Sequence, residues 1–319
     1  MSDTRSFQNV QRKIRTIVPA VVLCLLSSEV LAQNTGSAAK KTPGEDMVLR
    51  AGDGFPIHIT YFAGNGGKES PVAVLLPSTE GPDAANARNR RAWQDTALAL
   101  QKDGYAVVTV DLRKHGDSIP DVEDKSAIKL LPTDHTAMAA LDLEAVKSFL
   151  MEQHQAEQLN VRKMGIVAAG SSCIVASAFA VEDWAKKPYK DAPLLAQQTP
   201  RGQDVRAIVM LSPKGNVKGL NSARAMKALG ALPVAAYILA STQDKAEIRD
   251  ADKLFKSLEL KGEEFDEVRK ITRAPIAQSA EQFIEGKEAE TTIRLIKEFF
   301  KKNLKELEEP WRSRKSRLF

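Results

Sequence analysis

The sequence predicts an α/β protein: a doubly wound, mostly parallel, eight-stranded sheet with helices on both faces. Three observations carry this. Short, nearly continuous apolar runs mark strands covered on both sides. Between them lie segments whose apolar residues recur three and four apart, as helices that cover such a sheet require. Runs and periodic segments alternate along the chain, and right-handed crossovers wind that order into a parallel sheet.

Residues 1–32 read as a secretory signal peptide. Arg5, Arg12, Lys13 and Arg15 precede an apolar run from Ile17 to Leu26, and Val30-Leu31-Ala32 is a cleavage site before Gln33. The run is too short to span a bilayer, which takes roughly 20 apolar residues. Leu23 stands where a lipoprotein site at Cys24 needs a small residue. The expectation is an exported chain, periplasmic or secreted, with no transmembrane span once the signal is removed. Residues 33–45, polar and containing Gly, Ser and Pro, form a flexible leader.

Cleavage leaves 287 of the 319 residues, enough for one large core, and residues 46–308 are read as one domain. Removing four basic and two acidic residues with the signal lowers the formal charge from +5 to +3, too mild a balance to indicate nucleic acid. Only Cys173 remains, so no intramolecular disulfide is available despite an exporting context.

Within the domain, MVLRAGDGFPIHITYFAG reads as two strands about an Asp-Gly turn, and Asn65-Gly66-Gly67 as the next turn. Six strands follow: 71–77, 105–111, 163–170, 206–212, 233–240 and 267–273, the last polar enough to be an edge. The helical segments are RRAWQDTALALQKDG, HTAMAALDLEAVKSFLMEQ, KAEIRDADKLFKSLEL and EAETTIRLIKEFFKKNLKEL. In such a sheet the site lies beyond the carboxyl ends of the strands, at the loops after Pro77, Asp111, Ala169 and Ala240. Residues 180–204, with three prolines, are expected to pass that edge as a lid or elaborated loop, and 309–319 form a basic tail.

Three stretches resemble the α/β-hydrolase family, and together the resemblance covers nearly all of the mature chain. VAVLLPSTEGP followed by AWQDTALALQKDGYAVVTVDLRKHGDS is similar to the family's passage from the oxyanion-hole strand to its Asp-x-Arg-x-His-Gly-x-Ser loop. PVAAYILASTQDKAEIRDADKLFKSL is similar to its acid-bearing strand, turn and helix, with Asp244 at the acid position. The resemblance implies a nucleophile elbow, Gly-x-Ser-x-Gly, at a strained strand-to-helix turn. An ungapped alignment of KMGIVAAGSSCI puts Gly170, which has no side chain, at the nucleophile. A one-residue slip makes Ser171 the nucleophile but turns over the faces of the strand. As a structural alternative, Ser171 and Ser172 cap the following helix.

The family's order is nucleophile, acid, histidine. Here His58, His115, His135 and His154 all precede the elbow, and 274–279, where the base should lie, contain no histidine. Without a base a serine hydroxyl is a poor nucleophile near neutral pH. Ser78 and Thr79 stand at the oxyanion-loop position, after Pro77, which has no amide hydrogen, and before Glu80, whose charge opposes an oxyanion. His115 is weighed as a relocated base and read as a loop-ordering residue. Cys173 reads as a small buried thiol, and Asp244 as a binding carboxylate or helix cap. No histidine pair has metal-site spacing, and no cofactor is expected.

The sequence therefore reads as an exported α/β-hydrolase-type protein with an incomplete triad, a non-catalytic homologue with a binding or scaffold role. Its partner is a small molecule or an envelope ligand, not nucleic acid. The alternative is a divergent serine esterase using Ser171 and Asp244. A third reading has the 180–204 loop and the tail binding anionic envelope material, with salt sensitivity.

Overall fold

A computed structural model describes residues 44–79, 89–120, 128–258, 267–275 and 280–318. The expected signal peptide and all but the last two residues of the leader lie outside the described residues. Strands β1 (Glu45–Arg50), β2 (Pro56–Phe62), β3 (Val72–Leu76), β4 (Ala106–Asp111), β5 (Met164–Ala169), β6 (Val205–Leu211), β7 (Ala235–Ser241) and β8 (Arg269–Ala274) form one eight-stranded sheet. Their order is β1-β2-β4-β3-β5-β6-β7-β8. From β4 to β8 across the sheet all neighbours are parallel, while β2 is antiparallel to both β4 and β1. The Asp53–Gly54 hairpin and the polar edge strand β8 fall where the sequence puts them.

The helices are α1 (Gln94–Lys102), α2 (Pro132–Ala137), α3 (Leu143–Gln155), α4 (Ser172–Ala185), α5 (Ser222–Gly230), α6 (Lys245–Leu258) and α7 (Ala289–Phe300). A wide π-helical stretch, Met138–Asp142, joins α2 to α3. Alternate residues along each central strand feed two cores. Val74, Val108, Ile166, Ile208 and Ile238 face α3, α4, α5 and α6, while Leu75, Val107, Val167, Val209 and Leu239 face α1 and α7. Every residue of β3, β4, β5 and β7 is buried, which accounts for strand sequences without polar alternation. Each such aliphatic side chain contributes about 2 kcal/mol by leaving water. Among the described residues no helix is long and apolar enough to cross a membrane.

The 180–204 segment departs from expectation. Its first residues continue α4 to Ala185, and the rest lies at the amino edge of the sheet, opposite the expected site. The reason is directional: α4 starts at the carboxyl end of β5 and runs back across the sheet, so the connection into β6 begins at the other edge. There a buried charge cluster fastens α3, α4, the approach to β6 and the tail. Lys147 of α3 is paired with Asp183 of α4 and, at 2.8 Å, with Asp204 before β6. Arg314 of the tail grips Asp204 through two nitrogens at 2.6 and 3.0 Å and the carbonyls of Pro200 and Gly202. Both aspartates are fully buried.

His154 adds a second fastening. Its Nε2 donates to the Arg312 carbonyl at 2.9 Å, and its Nδ1 accepts from Val161 N at 3.3 Å. Removing one partner from a buried charge cluster leaves a charge uncompensated, which is strongly destabilising. Arg314→Ala is expected to lower the unfolding free energy by about 3 kcal/mol in chemical denaturation, whereas exposed Arg312→Ala changes it by less than about 0.5 kcal/mol. Equal small effects would contradict the tail's role as a structural fastening.

Candidate active-site edge

The loops leaving β3, β4, β5, β6 and β7 gather at the carboxyl edge. In the loop after β4 the family-like residues serve the fold. The buried Asp111 carboxylate accepts Arg90 N at 2.7 Å, Arg90 Nη1 at 2.5 Å and Asp117 N at 3.0 Å. Gly116, with φ +52°, lets the loop wrap this carboxylate, since a Cβ there would stand 2.2 Å from it. Ser118 Oγ donates to the Asp111 carbonyl and accepts His58 N, both at 2.7 Å. Arg113 forks onto Asp142 and reaches Asp53. His115 meets the Arg113 carbonyl through Nδ1 at 2.9 Å, the local role expected of a loop-ordering residue.

At the strand-to-helix turn after β5, the left-handed residue is Gly170, with φ +54°. A side chain in that region costs about 1–2 kcal/mol, and it is the strain that exposes a nucleophile at an elbow. Ser171 has ordinary right-handed geometry, φ −67° and ψ −27°, and is 7 % exposed. Its hydroxyl does not cap α4, and no described histidine is hydrogen-bonded to it. Ser172 Oγ does not cap either; it donates to the Pro77 carbonyl at 2.5 Å, tying the turn to the end of β3. Cys173 is buried with its thiol toward the Ala168 carbonyl.

Asp244 caps α6: its Oδ1 accepts Ala246 N at 2.7 Å and Glu247 N at 3.4 Å. Glu247, which no sequence motif indicated, binds β6 to β7 by accepting Ser212 Oγ at 2.5 Å and Ser241 N at 2.6 Å. Ser212 is held there at φ +47°, and burial pushes the Glu247 carboxyl up. The expected base position falls partly at 276–279, and Glu80 and Gly81 of the oxyanion-type loop at 80–88; both stretches lie outside the described residues.

Some buried polar groups at this edge are left over. Ser78 and Thr79 are both buried, and among the described residues Thr79 Oγ1 has no partner. Neither does His115 Nε2. The ring of His135, on α2, faces the main chain of Thr79 and of Lys218. Burial pushes both imidazoles down, and a charge on His135 would oppose one on His115. A buried polar atom without a partner costs about 1–3 kcal/mol, so this cluster is suited to a ligand or water that supplies hydrogen bonds. His135 was the hardest residue to find from sequence, because only the placement of α2 over Thr79 brings it to the site.

Grooves elsewhere carry none of these groups: one of about 850 Å³ lies between α1 and α7, and one of about 520 Å³ between α3, the 186–204 loop and the tail. Among the described residues no three His, Cys, Asp or Glu side chains gather as metal ligands would.

No family model matches the chain, and no curated protein matches it in sequence. Solved structures do. A dienelactone hydrolase from Anabaena variabilis superposes with a TM-score of 0.56 at 15% identity, over 82% of this chain and 99% of that one. An esterase from Pyrococcus furiosus gives 0.53 at 15% identity, over 82% and 90%. A putative dienelactone hydrolase from Klebsiella pneumoniae gives 0.54 at 12%, over 81% and 97%.

Two measurements test the site's electrostatics. If Asp244 is a cap, Asp244→Ala lowers stability by about 1 kcal/mol while Asp244→Asn leaves it nearly unchanged, because an amide oxygen also caps; equal losses in denaturant melts would contradict the cap. For His115, His135 and His154 the folded-state pKa lies below the ordinary histidine value of 6.5, with burial the main cause. Below about pH 6.5 the unfolded chain thus takes up protons that the folded chain refuses, and stability conferred by the neutral rings is lost as pH falls. An NMR titration should show these three imidazoles still neutral at about pH 6.5; rings mostly charged there would contradict the burial.

Proposed function

From the α/β-hydrolase fold that this chain has, we propose that it is a non-catalytic homologue whose carboxyl-edge cleft binds a small polar molecule without cleaving it. One observation carries the reading: the turn that would have to present a nucleophile holds its left-handed backbone at Gly170, which has none. The composition agrees, since no histidine follows Asp244 and Asp244 itself is engaged as a cap. The unpartnered Thr79 Oγ1 and His115 Nε2, with the His135 ring beside Thr79, support a ligand rich in hydrogen-bonding groups. Hydrolysis would need an activated nucleophile and a donor array aimed at the oxyanion, and the hydroxyl of Ser172 is already committed to Pro77. Export by residues 1–32 to the periplasm or beyond belongs to the same proposal.

The divergent-esterase alternative names Ser171 as nucleophile, and a fluorophosphonate probe separates the two. Intact-mass analysis of folded protein should show no adduct from mildly acidic to mildly alkaline pH. Stoichiometric labelling that disappears in Ser171→Ala but persists in Ser172→Ala would overturn the non-catalytic reading.

A further inference from the structure

The amino edge carries a second surface, independent of the cleft. Of the five large hydrophobic side chains most exposed among the described residues, three lie on its two knitted segments: Leu194 (63 %), Leu195 (73 %) and Leu318 (59 %). The segments are distant in sequence and joined in space. Asp191 accepts Thr199 N at 2.9 Å and Arg317 N at 3.1 Å, so the loop bearing Leu194 and Leu195 is fixed to the residue preceding Leu318. Arg314 anchors the same tail beneath.

Charge surrounds the leucines. Lys187, Lys190, Arg201, Arg312, Lys315 and Arg317 are exposed, and none is ion-paired with a described residue. Across 187–201 and 312–318 the one acidic residue is Asp191, whose oxygens are engaged by the two amides. The Arg201 guanidinium lies over the Tyr189 ring, 5.2 Å from its centroid. Exposed apolar tips set among unpaired cations are what an anionic bilayer surface recognises: the leucines enter the acyl boundary and the cations meet the headgroups. A second copy of the chain fits poorly, because it would bring six like charges against six.

We propose that Leu194, Leu195 and Leu318, with the surrounding lysines and arginines, form a peripheral docking surface for membranes rich in anionic lipid. The buried Lys147–Asp183–Asp204–Arg314 cluster holds its two segments in place from below.

Sedimentation with vesicles of equal parts phosphatidylglycerol and phosphatidylcholine tests this on the mature protein, against vesicles of phosphatidylcholine alone. Binding is expected to the anionic vesicles, to weaken with added salt, and to be negligible on the neutral ones. Leu194→Ser with Leu195→Ser should weaken partitioning by at least roughly tenfold, and Lys315→Gln with Arg317→Gln by roughly tenfold or more. All four changes are at exposed side chains, so thermal melts should match the wild type. Three results would overturn the proposal: no preference for anionic vesicles, anionic binding that the leucine pair does not affect, or a dimer in sedimentation velocity that the leucine substitutions abolish.

Discussion

A parallel sheet buried on both faces leaves its polar and charged side chains two places to go, the edges where strands begin and end. That constraint organises this molecule. Isolated charge inside such a core carries a large desolvation penalty, so each edge is closed by a network in which cations and carboxylates satisfy one another. At the amino edge the network is Lys147, Asp183, Asp204 and Arg314. At the carboxyl edge it is Arg90 with Asp111, and Arg113 with Asp142.

The carboxyl-edge network gives the residues of the loop after β4 a structural role. Asp111, Arg113, His115, Gly116 and Ser118 are each accounted for by a bond or contact that shapes the loop. The turn beyond β5 keeps its left-handed residue because the chain must reverse sharply from strand to helix, and glycine is the residue that takes that conformation at least cost. The scaffold requires the turn; it does not require a hydroxyl upon it. At this edge, among the described residues, Thr79 Oγ1, His115 Nε2 and Glu247 Oε2 remain without a partner.

The amino edge differs in kind. Its buried pairs are saturated, and they hold the exposed leucines and cations of two segments outward. A tail whose composition reads as a solvated basic segment is in fact docked, with Arg314 and Ser316 buried between exposed neighbours.

Sequence by itself determined the sheet: five apolar runs, a more polar edge strand, a hairpin and four periodic helices were legible because both-face burial writes unbroken apolar stretches and helical burial writes a 3.6-residue period. It also determined that no histidine follows the acid position. It left α5 unmarked, since SARAMKALG buries only two large apolar side chains, Met226 and Leu229. Tertiary structure alone decided the rest. Register at the elbow turned on the φ of Gly170, a backbone angle that adjacent small residues do not specify. The course of residues 186–204 depended on the direction in which α4 crosses the sheet. His135 comes to lie beside Thr79, Glu247 meets Ser212, and Arg314 finds Asp204 across 110 residues; such pairings are set by packing in three dimensions and leave no local pattern to read.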